Sequence, residues 1–192
     1  MILPGQRPRF TREDAEKILK AHGVSLSNEP LALIGIRGYY LNSMGEINTN
    51  DRGIYDDAAA WITETGFITF NFNTDPSRFR AGEGFGDAKG MATLIPGVWY
   101  YERGIHKDYY AFTQAAKVMV SRDGYLQDYC EAGWFGINIH RGGYSTTSSL
   151  GCQTVPPDQW QTFRDFGFNE LRRYATRRFP YILINEEDRR KL

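Results

Sequence analysis

Two residues able to do nucleophilic chemistry stand close together in the second half of this 192-residue chain. His140 closes the run Trp134-Phe135-Gly136-Ile137-Asn138-Ile139-His140, and Cys152 ends the run Ser149-Leu150-Gly151-Cys152. Read as a strand, the first run sends Phe135, Ile137 and Ile139 to one face and Gly136, Asn138 and His140 to the other. The apolar face must enter a core. The imidazole then projects from the polar side, beside a glycine that leaves room and an asparagine that can hydrogen-bond. Alone, such a histidine reads more simply as a strand residue satisfied by a neighbour. The following loop changes that balance. Residues 145–152 are mostly small or hydroxylated, which lets a loop approach a substrate backbone. A structural cysteine usually sits in an apolar run, whereas Cys152 lies between Gly151 and Gln153. A nearby imidazole raises the thiolate fraction of such a thiol. Backbone N–H groups beside a glycine are free to point at a developing oxyanion. The chemistry these types suggest is nucleophilic attack by an activated thiol, with backbone donors at a developing oxyanion.

The elements that must position this pair read as mainly β, with a helix near each end. After an irregular arm, Thr11 is a helix N-cap with Asp14 three residues on, Ala15, Ile18 and Leu19 form an apolar stripe, and Gly23 stops the helix. Leu31 to Ile36 is a buried strand. Ala59 to Ile62 and Phe67 to Phe72 flank Glu64-Thr65-Gly66 as a hairpin. Met91 to Tyr101 reads as a strand interrupted near Pro96-Gly97, Tyr110 to Val120 as another, and Gly133 to His140 as the cleanest alternation in the chain. A helix runs from about Asp158 to Arg178, with Pro157 standing at its start and Trp160, Phe163, Leu171 and Tyr174 roughly on one face. Phe179 to Ile184 is a closing strand, and Glu186 to Leu192 is a solvated tail. Long loops fall at 42–57 and 73–90. The organisation expected is one domain over 1–192, with an N-terminal arm and helix in 1–30 and a C-terminal helix and tail in 157–192.

The stretch from His140 to Cys152 resembles the catalytic motif of the L,D-transpeptidase catalytic-domain family, β-sandwich enzymes acting on bacterial peptidoglycan stem peptides. In that motif a histidine closes a strand, a variable loop follows, and Ser-His-Gly-Cys-x-Arg ends it. Here it stands as His140, a loop, then Ser149-Leu150-Gly151-Cys152-Gln153-Thr154, with 11 residues between His140 and Cys152. The upstream Gly90 to Trp99, with Pro96-Gly97, is similar to the family's Thr-Pro-x-Gly-x-Phe element. The resemblance implies a β-sandwich, Cys152 as nucleophile, His140 as its base oriented by a backbone carbonyl, and Gly151 with Cys152 as backbone donors to the oxyanion. It implies a peptidoglycan stem peptide as partner and no cofactor. Leu150 replaces the motif's second histidine and Thr154 its arginine. Arg141 is a candidate substitute for that arginine in holding a substrate carboxylate. Asn138, Ser149 and His106 join it as candidate substrate-binding residues, His106 only if its strand neighbours the catalytic one. The chain as a whole also resembles small proteins of tailed bacteriophages, a context that implies an endolysin-like lytic role.

Composition narrows the alternatives. Lys plus Arg and Asp plus Glu both number 23, so the positive excess usual in non-specific nucleic-acid binders is absent. No apolar run reaches the roughly 18 residues needed to span a bilayer. The N-terminus shows no signal-peptide pattern, so the expectation is cytoplasmic synthesis, with action on the wall only after release. Three scattered histidines and two cysteines make no zinc motif. Asp51, Asp56 and Asp57 lack calcium-loop spacing, so no metal is expected. His22 reads as a helix-end dipole partner, and Cys130, among acidic neighbours, as an inert thiol. A chymotrypsin-like cysteine protease also places histidine before cysteine, but Cys152 is not followed by Gly-Gly and the interval is too short for two barrels. A non-catalytic protein that binds wall peptide in the same groove is the second reading.

Overall fold

The computed structural model describes residues 2–192. It is mainly β, with two sheets and three helices. The N-terminal helix α1 (Arg12–Ala21) begins where the sequence places it. Thr11 and Asp14 cap one another reciprocally, and Gly23 takes a left-handed φ of 68° after the last turn. Eleven strands follow: β1 (Leu31–Arg37), β2 (Asp57–Thr63), β3 (Phe67–Phe72), β4 (Ala92–Leu94), β5 (Gly97–His106), β6 (Tyr109–Gln114), β7 (Val118–Arg122), β8 (Tyr129–Gly133), β9 (Ile139–Arg141), β10 (Gln153–Val155) and β11 (Arg178–Asn185). Helix α2 (Pro157–Arg173) precedes β11, and α3 (Glu186–Arg189) follows it.

Eight strands form one mixed sheet in the order β10-β9-β6-β5-β11-β1-β2-β3, and β4-β7-β8 form a small antiparallel sheet. The large sheet curls until its two edges touch. Asn73, just past β3, exchanges two backbone hydrogen bonds of 2.9 Å with Thr154 of β10. Helix α2 packs across its inner face. The Phe163 ring meets Trp61, Phe70, Phe72 and Phe112, and Trp61 Nε1 donates to the Phe163 carbonyl at 2.9 Å. Gly167 lets the helix come this close, because a Cβ there would lie 2.6 Å from Phe112 Cζ and 2.7 Å from Trp61 Cζ2. The small sheet adds Ala92, Leu94, Val118 and Val120 to the same core. On the other face Ala32, Ile34, Ile36, Ala58 and Ala60 pack under α1. Strands buried on both faces read as continuous apolar runs, which is why Leu31 to Ile36 shows no alternation.

Five features differ from the sequence reading. Pro96-Gly97 separates β4 and β5 into different sheets, and residues 115–117 do the same for β6 and β7. The alternating run Gly133 to His140 is not one strand. Gly136 sits at φ 68°, and the N–H groups of Phe135 and Ile137 donate to the Gln114 side-chain oxygen (3.1 and 2.8 Å) in place of a strand partner. The C-terminal helix ends at Arg173, and Ala175 takes φ 51° just beyond it. The final residues begin as a helix, with Glu186 buried and ion-paired to Arg189 and Arg190, so the tail is docked at its start.

Candidate active site

The thiol loop is held by its own hydroxyl groups. Ser149 is buried, its N–H donating to Ser77 Oγ (2.6 Å) and its Oγ donating to the Cys152 carbonyl (2.7 Å). Ser77 Oγ also bonds Thr147 Oγ1 at 2.8 Å, and Tyr55 anchors the loop start by donating to the Gly143 carbonyl at 2.8 Å. Gly151 adopts φ 140°, and a Cβ there would collide with the Ala92 carbonyl oxygen. Ser149 therefore acts here by shaping the turn, not by presenting its hydroxyl to a ligand. The Gly151 N–H donates to Ser149 Oγ at 2.9 Å. Gly151 is thus not an available oxyanion donor, because that hydrogen is already shared. The Cys152 N–H makes no hydrogen bond among the described residues and remains the donor able to serve an oxyanion.

Strand β10 then runs parallel to β9, with Thr154 opposite His140 and Gln153 opposite Ile139. The Gln153 N–H donates to the Asn138 carbonyl at 2.9 Å. Opposite residues of neighbouring strands share a face, so this register brings Cys152 beside Asn138, two residues from His140 on the adjoining strand. The half-buried thiol donates to the Gly136 carbonyl at 3.3 Å. Among the described residues it makes no hydrogen bond to His140. Burial pushes its pKa up to about 11.

His140 is buried, not displayed on an open strand face. Its Nδ1 lies 2.8 Å from the Arg141 carbonyl oxygen and 3.4 Å from Tyr109 Oη. A carbonyl oxygen only accepts, so Nδ1 carries the hydrogen and Nε2 carries the lone pair. Nε2 has no hydrogen bond among the described residues. His106, at the end of β5, stacks on the ring with centroids 4.0 Å apart and an interplanar angle of 8°. Asn138 Nδ2 donates to His106 Nδ1 at 3.1 Å. Burial first, and then the neighbouring His106 and Lys107, draw the His140 pKa down to about 4 against the stabilising Arg141 carbonyl. The imidazole is accordingly neutral at physiological pH, in the form that can accept a proton.

A cleft of about 740 Å³ opens against this ring, walled by Tyr109, His140, Arg141, Trp160 and Arg164, with Lys107 at its rim. Three cations face it against one carboxylate, Asp108. The Arg141 guanidinium lies 5.7 Å from the Tyr109 ring centre, at the edge of cation–π range. Cys152 does not line the cleft.

No family model, curated protein or solved structure matches the chain. The likeness to L,D-transpeptidases rests on the motif residues themselves.

Of the residues singled out in the sequence, Cys152, His140, Asn138, His106 and Arg141 come together, while Ser149 and Gly151 form the turn beneath them. Tyr109, Trp160 and Arg164 were missed. Tyr109 was findable: a two-residue turn, Lys107-Asp108, puts it opposite His106 in the β5–β6 hairpin. Trp160 and Arg164 come from α2, far along the chain, and no local pattern announces them.

Proposed function

We propose that the protein is a cysteine-dependent acyl-transfer enzyme acting on peptidoglycan stem peptides. The observation that supports this best is the parallel register of β9 and β10. It sets a thiol on a built turn next to a strand bearing a neutral imidazole, whose Nδ1 is fixed by a backbone carbonyl and whose Nε2 is open. In the reaction the sulfur attacks a peptide carbonyl as Nε2 takes the thiol proton. A C–S bond forms, and the Cys152 N–H supports the oxyanion. The C–N bond then breaks and His140 returns the proton to the leaving amine. Water, or a second amine, resolves the thioester. With His140 low and Cys152 high in pKa, the resting pair is uncharged, and proton transfer accompanies attack. The cationic cleft suits a peptide bearing carboxylates, with Arg141 in the role the motif arginine has in the resembled family. The likeness to bacteriophage proteins favours water as acceptor and a lytic outcome. The test is muropeptide release from purified sacculi by the wild type and by Cys152→Ala. Release that depends on Cys152 is expected, and equal release by both proteins would defeat the reading.

A second reading is favoured by the Cys152–Gly136 hydrogen bond. A thiol engaged on a carbonyl and unbonded to the imidazole suits a protein that binds wall peptide without cleaving it. Binding to sacculi with no muropeptide release from either protein would decide for it.

A further inference from the structure

We propose that His106 is a positioning residue for His140, holding the imidazole in place through the face-to-face stack, and that Asn138 holds His106 in turn. The inference rests on the reading of His140 as the base. His140 itself is tied down only at Nδ1, by the adjoining Arg141 carbonyl and more loosely by Tyr109. A hydrogen bond at one ring atom restrains rotation of the ring about its Cβ–Cγ bond only weakly. A second ring lying parallel 4.0 Å away removes this freedom. His106 can do so because it is fixed from the other side. The Asn138 amide nitrogen only donates, so the His106 Nδ1 it meets must be the unprotonated nitrogen, and the His106 hydrogen sits on Nε2. Both rings are thereby held in defined neutral tautomers, with Asn138 just ahead of β9 and the base within it.

The charged and titratable groups around His140 are His106 from β5, Lys107 and Asp108 from the β5–β6 turn, Tyr109 from β6, Arg141 from its own strand, Cys152 ahead of β10 and Arg164 from α2. Apart from Asp108, the ionised members are cations, which disfavour an imidazolium. The stack adds to this by keeping water from one ring face. Removing it re-admits water and frees the ring, so protonation of His140 becomes easier.

The experiment is a titration of the ring nitrogens in the full-length, histidine-labelled protein by NMR. In His106→Ala the His140 pKa should rise by about one unit or more and its single tautomer should become mixed. In His106→Phe a flat ring is retained, and His140 should keep both its tautomer and its low pKa. Asn138→Ala, a milder change, should move His140 in the same direction by less, and it stands in if His106→Ala does not fold. An unmoved His140 in His106→Ala, or an equal shift in the Phe and Ala variants, would overturn the proposal. This readout is independent of catalysis. Loss of Cys152-dependent muropeptide release as an idea would leave the titration result standing, and an unmoved titration would leave the acyl-transfer reading standing.

Discussion

At the scale of single residues, the site combines a thiol and an imidazole that are both kept neutral by burial. Thiolate chemistry should therefore be slow unless substrate drives it. At neutral pH the exposed Cys130 should alkylate well ahead of Cys152. Mass spectrometry of peptides from a timed iodoacetamide reaction measures this, and a faster Cys152 would mean that the imidazole already activates it. Gly151 tolerates little change. Its φ of 140° is open only to glycine, and the Ala92 carbonyl occupies the space a side chain needs. Gly151→Ala should cost about 1–3 kcal/mol of stability through strain and displace the thiol, measured by chemical denaturation and by the same alkylation assay.

At the scale of elements, one side chain decides the path of the chain into the site. Gln114 at the end of β6 accepts the Phe135 and Ile137 N–H groups and donates to the Ala116 and Gly133 carbonyls. It converts what reads as a regular strand into an arch. Gln114→Ala would strand polar groups that lie inside, each costing about 1–3 kcal/mol. Hydrogen exchange at Phe135 and Ile137 should accelerate relative to β5. Helix α2 carries the other dependence, because it both fills the curled sheet with Phe163 and walls the cleft with Trp160 and Arg164. Phe163→Ala should cost about 3–5 kcal/mol, seen as a lowered denaturation midpoint.

At the scale of the whole molecule, buried ionisable groups give stability a pH dependence with two opposed limbs. Burial raises the carboxyls of Asp56 and Asp57, with repulsion from Asp57 adding to the first and from Asp75 to the second. An acid raised on folding contributes most below its ordinary pKa, and that contribution fades as pH climbs through the folded value. His140 works the other way: held down to about 4, it contributes fully above its ordinary 6.5 and loses that contribution as pH falls through the interval. From about pH 4 to 6.5 the two carboxyls and His140 act in opposite directions, and above that interval only the carboxyls remain, so thermal midpoints should decline toward the alkaline side. Asp56→Asn is the probe. Asp56 accepts the Asp51 N–H on one oxygen, while its other oxygen is buried without a partner. The amide mimics the protonated acid, so the alkaline decline should flatten and the opposing His140 contribution should show more clearly below pH 6.5. An unchanged alkaline limb would place the burden on other groups. These carboxyls also pin the long 42–57 loop: Asp57 accepts from Gly38 and Thr74, and Asp75 from Asn50.

Local chemistry is legible without coordinates. Thr11 with Asp14 marks a helix start, the Glu64-Thr65-Gly66 turn marks a hairpin, and the motif around Cys152 marks a thiol on a turn. Each depends on interactions only a few residues apart, which side-chain type and spacing dictate. The amino-acid sequence by itself determined a mainly β chain with a helix near each end, and a histidine and a cysteine set for one edge. Only the tertiary structure decided that Gln114 bends the alternating run, that His106 stacks on His140, that the Ser149 hydroxyl is spent inside the turn, and that α2 completes the cleft. Those outcomes come from contacts between segments distant in the chain, where burial and hydrogen-bond satisfaction outweigh local preference.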